Sequence, residues 1–446
     1  MSRFRTRQGL APGTARPGAG LRRRDTLRLL GLGAMGAAGA GALSACAPSG
    51  GSGGGGGDAS ASTFGFSSWS LNEEASKPVV EAIVADWESA EDVSIDAVSY
   101  PYNDYLTQLT LKLRGGQVTG AVQLDIAWLG ALAPMGRLLD LSDAAARGGY
   151  TEAALTSGQY EGTQYGLPWT TASIGLIANS TLLDAAGITE QPTTIEQFEE
   201  ALRALKDLEG ITPYAAATKV AQLKDIFPWM RTFGSTLVEG DTVTIGDDAS
   251  VEAVEWYKRL YDDGLIAADV DRFDARALFA QGRVGFYDDA VIGKGATIAQ
   301  ASDPALADAM VPVPRPVLAS GDAPQALLWG HVIVVVDGEG SDAATEFALH
   351  TTSDTATVAD YFERLALPPT TAEGLGDPAV AQDAFTTEWT ERITATATPG
   401  PFWHLTQNAQ IEEVVAQQVQ AVLVGGSSAR DAMNAAREEI TGLMER

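Results

Sequence analysis

A single cysteine, Cys46, stands in 446 residues, which excludes an internal disulfide. Histidine is almost as scarce, and His331, His350 and His404 lack the spacing of metal ligands. Basic residues are outnumbered, 30 Lys and Arg against 58 Asp and Glu, for a formal net charge of −28. Phosphate backbones demand a basic surface, so nucleic acid is excluded as a partner. Anionic lipid is repelled too, unless a separate tether holds the chain there. The sequence has no Gly-x-Gly-x-x-Gly after a strand, no phosphate-binding loop, no His-Glu-x-x-His and no Gly-x-Ser-x-Gly. No pattern of catalysis is left to argue from, and no cofactor or metal is expected.

What is present suffices for two domains of ordinary size, with 45% apolar residues to fill their cores. Residues 1–46 read as a targeting segment outside the fold. Arg22-Arg23-Arg24 forms the charged region, Leu29 to Ala42 the apolar one, and Leu43-Ser44-Ala45-Cys46 resembles the box at which bacterial lipoproteins are cleaved. Arg23-Arg24-Asp25-Thr26-Leu27 also resembles a twin-arginine signal, so either export route stays open. Cys46 is then expected to carry the lipid that anchors the chain to the outer face of the cell membrane. Two acyl chains hold firmly, at about 0.8 kcal/mol per buried methylene. Residues 47–62, with Gly50 to Gly57 at their centre, make a flexible tether spanning roughly 20 Å. Eight of the 30 basic residues precede Cys46, leaving a body of net charge −35.

From Thr63 the pattern alternates. Thr63 to Phe66 is an expected strand, and Val79, Val80, Ile83, Val84 and Trp87 mark a helix face. Val93, Ile95 and Ala97 alternate as a strand, Tyr102 to Leu113 is helical, and Leu124 to Trp128 is a third strand. Strands separated by helices imply parallel pairing and an α/β class. Farther on, Thr193-x-x-Glu196 reads as a capping box ahead of the stripe Ile195, Phe198, Leu202, Leu205 and Leu208. Ser250 is expected to cap a helix ended by Gly264. Val311 to Pro316 reads as a crossing or edge segment, and Val332 to Val336 as a buried strand. Ile411 to Leu423 and Ser428 to Leu443 form a closing helix pair.

The most informative stretch runs from Tyr160 to Ile188, YEGTQYGLPWTTASIGLIANSTLLDAAGI. Glu161 and Gly162 make a turn, Gln164 to Leu167 is extended, and Pro168 is expected to break regular pairing and expose Trp169 to a cleft. Ser173 to Ala178 follows as a strand and Leu182 to Ala186 as a helix ended by Gly187. The run Tyr165-Gly166-Leu167-Pro168, then Asn179, Leu182 to Ile188, Pro192 and Thr193-Thr194, resembles the extracellular solute-binding proteins of ABC importers, in particular the carbohydrate-binding family that includes the maltose-binding proteins. Ala178 replaces the tyrosine usual in that family before the asparagine. FAQGRVGFY, from Phe279 to Tyr287, resembles the family's helix-to-strand turn.

The resemblance implies two discontinuous α/β lobes, 63–172 with 329–365 and 173–328 with 366–446. Three crossings join them, near Thr170 to Ser173, Ala326 to Gly330 and Leu365 to Pro369. A mono- or oligosaccharide is expected in the cleft between the lobes of a monomer, for delivery to an ABC permease. A secreted carbohydrate-active enzyme and a sugar sensor for a membrane receptor are the alternatives. Sugars carry apolar faces ringed by hydroxyls, so their sites need flat aromatics with polar groups at the edge. Trp69 and Trp128, at carboxyl ends of strands, fit that need, as do Trp169 and Trp329. Asp125 precedes Trp128, and His331 follows Trp329. Tyr287 and Asp288 close a strand, whereas Trp229 and Trp403 are expected on loops. Asp125 with Asp288 would be the carboxylate pair of the enzyme alternative.

Overall fold

The computed structural model describes residues 63–445, so the targeting segment over 1–46, Cys46 and the tether over 47–62 lie outside the described residues. A mixed nine-stranded sheet organises what is described. Its strands are β1 (Thr63–Ser67), β2 (Ser94–Val98), β3 (Gly120–Asp125), β4 (Gly166–Asn179), β5 (Thr212–Ala215), β6 (Val284–Ala290), β7 (Met310–Val313), β8 (Ala326–Val336) and β9 (Ala397–Thr398). They run in the order β2-β1-β3-β8-β4-β6-β5, with β7 beside β4 and β9 beside β8.

The parallel pairing expected of the first three strands is observed, and the rest of the sheet mixes directions. β1 is parallel to β2 and β3, and β6 to β5, but β8 is antiparallel to both β3 and β4, and β6 and β7 are antiparallel to β4. The reason lies in two long strands at the centre, β4 with 14 residues and β8 with 11. Each is long enough to serve different neighbours at its two ends. β8 pairs β3 through His331 to Val336, and β4 pairs β6 through Ile174 to Ala178.

Regular pairing is interrupted at Pro168, as expected, but β4 continues through the interruption. The register against β8 slips between His331, opposite Thr170, and Val332, opposite Pro168, which makes Trp169 the extra residue of a β-bulge. A bulge is where a strand tolerates a residue without an N–H. Just before it, Glu161 and Gly162 form the expected turn, both at positive φ, between the paired residues Tyr160 and Thr163.

The helices that matter for the site are α1 (Lys77–Glu91), α2 (Tyr102–Arg114), α3 (Ile195–Lys206), α4 (Ile226–Thr232), α5 (Asp248–Asp262), α6 (Arg272–Ala280), α7 (Asn408–Leu423) and α8 (Ala429–Met444). Two caps differ from expectation. The capping box of α3 is Thr194 with Gln197, one residue later than Thr193 with Glu196, because backbone bonds from Ile195 to Val317 and from Val317 to Thr193 keep Thr194 extended. α5 is capped by Asp247 instead of Ser250, whose buried hydroxyl accepts from the amide of Gly246.

Three hydrophobic cores fill the described residues. One gathers the first half around Trp69, Tyr105, Leu124 and Trp128, with Val332, Val334 and Val336 of β8. A second gathers α3, α4, α5, α7 and α8 around Phe198, Trp229, Trp256 and Val415. The third follows the sheet from Phe64 to Trp389 and includes Trp169 and Tyr361. The segment after Leu365 is laced to β4 by two side-chain bonds, Thr170 Oγ1 to the carbonyl of Pro368 at 2.8 Å and Thr370 Oγ1 to the carbonyl of Pro168 at 2.6 Å.

Candidate functional site

β1 ends in Ser67-Ser68-Trp69, and the hydroxyl of Ser68 caps a short helical turn that swings Trp69 inward. There the indole stands edge-on to Tyr102, Tyr105, Trp128 and His331, with ring centroids 4.7 to 5.6 Å apart. Trp69, Tyr102, Trp329 and His331 form one wall of a recess of about 30 Å³, and Gln222, Arg272, Phe273 and Arg276 the other. A wider cavity of about 310 Å³ shares Glu73, Tyr102, Phe273 and Arg276 with this recess. On another side of Tyr102 a cavity of about 390 Å³ is lined by Trp128, Lys224 and Glu412. Gln222 Nε2 donates to Asn103 Oδ1 at 3.0 Å, joining the two walls.

The second wall is electrostatically dense. Asp271 starts α6 with a capping box to Asp274, and Arg272 and Arg276 follow one turn apart on its buried face. Arg276 holds Asp289 with two bonds, of 2.7 and 2.8 Å, and Arg272 Nη2 reaches Asp225 Oδ2 at 2.6 Å. Burial alone would discharge these guanidiniums, but the facing carboxylates outweigh it and hold both above their usual range. Glu73, on the opposite wall, has its carboxyl raised chiefly by burial, with Arg276 pulling the other way. The site therefore presents fixed charges that are already paired, between aromatic faces. Among the described residues, no group of three or more His, Cys, Asp or Glu is placed to hold a metal ion.

His331 is held in one tautomer. The amide oxygen of Gln123 accepts from Ser68 Oγ at 2.5 Å and from the amide of Ser70 at 3.3 Å, which turns its NH₂ toward Ser70 Oγ and His331 Nδ1, each 3.0 Å away. Nδ1 then accepts, and Nε2 carries the proton. Burial pushes the imidazole down to about 3, so it is neutral across the physiological range.

Five of the ten residues named from sequence line cavities. Trp69, Trp329 and His331 share the recess, Trp128 lies beside Tyr102, and half-buried Trp403 borders a separate cavity of about 480 Å³ with Tyr160 and Leu328. The other five are spent on packing. Trp169 is 1% exposed and stacks on Tyr361, because the bulge turns its ring into the sheet core and away from any cleft. Trp229 lies on α4 and not on a loop, between Phe198 and Trp256 and under the guanidinium of Arg315. Tyr287 is buried with its hydroxyl 2.9 Å from Thr297 Oγ1. Asp288 sits within β6, paired to the fully buried Arg315 at 2.8 Å and bonded by Tyr214, so it is not a solvated strand end. Asp125 caps the turn of Ile126–Trp128 and accepts from Tyr102 Oη at 2.7 Å.

Glu73, Tyr102, Gln222, Arg272, Phe273 and Arg276 line the recess and were missed. Only the arginines left a signal. They stand four apart, directly after the capping aspartate, on a helix whose other inward residues are Ala275, Phe279 and Ala280.

Comparison with known proteins agrees with this architecture. The GacH receptor of Streptomyces glaucescens superposes with a TM-score of 0.78 at 22% identity, over 86% of this chain and 98% of its own; it was solved unliganded and with acarbose. T. maritima MalE3, solved with maltose, gives 0.75 at 20% identity over 85% and 99% of the two chains. The diacetylchitobiose binding protein DasA of Streptomyces coelicolor is 23% identical over 294 residues, 61% of this chain and 65% of that protein's length. The two superpositions establish the fold, that of periplasmic binding proteins. The model of the bacterial extracellular solute-binding proteins matches residues 82–387, well over half of the sequence, and the chain belongs to that family.

Proposed function

We propose that the chain binds a carbohydrate between two lobes and delivers it to an ABC-type permease from the outer face of the cell membrane, held there by a lipid on Cys46. The observation that carries the reading is the recess itself. Flat aromatics, Trp69, Tyr102, Phe273 and Trp329, enclose it, and polar groups, Gln222, Arg272 and His331, stand at its edge. That is the mixture a sugar ring requires, with apolar C–H faces to cover and hydroxyls to satisfy. The names of the similar proteins point the same way, toward diacetylchitobiose, acarbose and maltose.

The lobes are 63–172 with 329–365 and 173–328 with 366–446, and β4, β8 and the segment after Leu365 form the hinge. A ligand touching both lobes gives the closed state contacts that the open state lacks, and the population shifts accordingly. The protein acts as a monomer and transforms nothing. A thermal-shift panel of mono- and oligosaccharides tests the reading, because only a ligand of the folded state stabilises by RT ln(1 + [L]/Kd). The best sugar is then incubated with the protein and recovered by chromatography. Intact recovery is expected; cleavage would make the protein an enzyme, and a panel with no shift would remove carbohydrate as the ligand.

A further inference from the structure

We infer, resting on the two-lobe carbohydrate reading and going beyond it to what opposes closure, that ionic strength gates the closing of the lobes. An uncharged sugar then binds more tightly as salt is raised.

The negative charge is divided between the lobes. Residues 63–172 with 329–365 hold 21 acidic and 6 basic side chains, a net of −15, and 173–328 with 366–446 hold 35 and 16, a net of −19. Closing brings two bodies of like sign together, and the ligand's contacts must outweigh their repulsion.

Ion pairs do not offset it. Every ion pair among the described residues stays within one lobe. Arg147 with Glu346 joins the two segments of the first lobe, and Lys224 with Glu412, 3.2 Å apart, joins those of the second. The arginines that line the recess are taken by their own lobe, Arg272 by Asp225 and Arg276 by Asp289. Glu73 of the first lobe feels the attraction of Arg276, but Asp289 works against it. Where the lobes touch, the contacts are uncharged. Gln222 donates to Asn103, Asn408 Nδ2 donates to the carbonyl of Ala127 at 3.2 Å, and Gly130 meets the backbone of Trp403, whose carbonyl oxygen would lie 2.3 Å from a Cβ there. Exposed Glu74 and Glu413, one from each lobe, border the two cavities that share Tyr102, and neither takes part in an ion pair among the described residues.

Screening therefore sets the cost of closing. Exposed charges act on one another over roughly 30 Å at 0.01 M salt and over about 10 Å at 0.1 M, whereas buried pairs such as Arg276 with Asp289 respond much less. A sugar without charge brings nothing for salt to weaken, so the electrolyte acts on the closing lobes. Apparent affinity follows the fraction of molecules in the competent state. The sign is the reverse of that for a charged ligand held by ion pairs, whose affinity falls with salt.

The test titrates the best uncharged sugar of the panel by calorimetry, from about 0.01 M to about 0.5 M NaCl. Affinity is expected to rise on the order of tenfold, within the ordinary range of coupling between two equilibria, at unchanged stoichiometry. KCl should act as NaCl does. Glu74→Gln combined with Glu413→Gln removes one charge from each lobe beside the cleft, where closing brings charges nearest. That variant should bind about twofold more tightly than the parent at the low-salt end and equally at the high-salt end. A flat or falling salt series would overturn the inference while carbohydrate binding stands, and so would a double variant that matches the parent at low salt. Stoichiometry that drops at low salt would place the repulsion in folding instead of closure, and an effect confined to one cation would replace screening by a bound ion; either result overturns the gate. If no sugar of the panel binds at any salt, the gate and the carbohydrate reading fall together.

Discussion

Trp169 stacks on Tyr361 with ring centroids 4.6 Å apart and 20° between the planes. The contact ties the bulge of β4 to the helix Thr355–Leu365, whose end leads into the third crossing segment. A fully buried aromatic is being asked to hold strands and helix together, and truncating one costs about 3–5 kcal/mol. Trp169→Ala should therefore lower the unfolding free energy of the ligand-free protein by that amount in a urea titration. Affinity for the sugar should change little. A drop of ~30-fold or more in affinity with undiminished stability would return Trp169 to the binding surface.

The paired charges behind the recess make a second expectation. Asp289 sits fully buried between Arg276 and the amide of Ala290. Removing its partner leaves a buried carboxylate with only Arg272, 3.9 Å away, to compensate it, and breaking a buried pair commonly costs about 3–5 kcal/mol. Arg276→Met should show that loss in denaturant unfolding. Arg276→Met combined with Asp289→Leu should regain most of it, since an apolar pair of similar volume needs no solvation. If the single variant unfolds at the same denaturant concentration as the parent, the pair is not holding the second wall.

Much of this architecture is written locally. The helix over Tyr102–Arg114, the strand over Val332 to Val336 and the closing helix pair follow from periodicity and terminators within a dozen residues. What local pattern cannot carry is pairing at a distance. Arg272 is buried because Asp225, 47 residues earlier, waits for it, and an isolated arginine on a helix reads as solvated. Thr193 and Thr194 each precede an acid or amide by three residues; the strand-like bridge to Val317 decides between them. Pro168-Trp169 reads alike in a bulge and at a cleft, and the choice is made by a register slip on β8.

His331 gives a pH signature. Its folded-state value of about 3 lies below the ordinary 6.5. Between those limits the unfolded chain binds a proton that the folded chain refuses, so stability is complete above pH 6.5 and is lost as pH falls toward 3. At 1.36 kcal/mol per unit the loss approaches ~5 kcal/mol at the lower limit. Glu73 and Asp288, whose carboxyls are raised by burial, act with the opposite sign, favouring the folded state at lower pH. The difference between parent and His331→Gln isolates the imidazole. Unfolding free energies measured from pH 7 to pH 4 should fall more steeply in the parent, and identical slopes would mean that His331 is solvated or paired.

Cys46 is expected to be the lipidated first residue of the mature protein, from Leu43-Ser44-Ala45-Cys46 and the glycine-rich tether that follows. Mass spectrometry of protein extracted from native membranes should find a diacylglycerol-modified Cys46 at the N-terminus. An unmodified cysteine, or cleavage elsewhere, would make this a freely secreted binder.

The last expectation concerns closure. β4 and β8 pair continuously from Ile174 with Leu327 to Thr170 with His331, and Gly330 stands where a side chain has no room. A Cβ there would lie 2.4 Å from the carbonyl oxygen of Thr170, and backbone atoms on a paired strand cannot step aside as a side chain does. If the lobes rotate about these strands, two things follow. Small-angle scattering of the parent should show a smaller radius of gyration at saturating sugar than without it. Gly330→Ala should wedge the strands apart at the pivot, leaving a protein that folds, binds the sugar more weakly and contracts less. An unchanged radius in the parent would mean a rigid, preformed site. A variant that contracts fully would move the pivot away from Gly330, toward the Thr170 and Thr370 bonds that lace the third segment to β4.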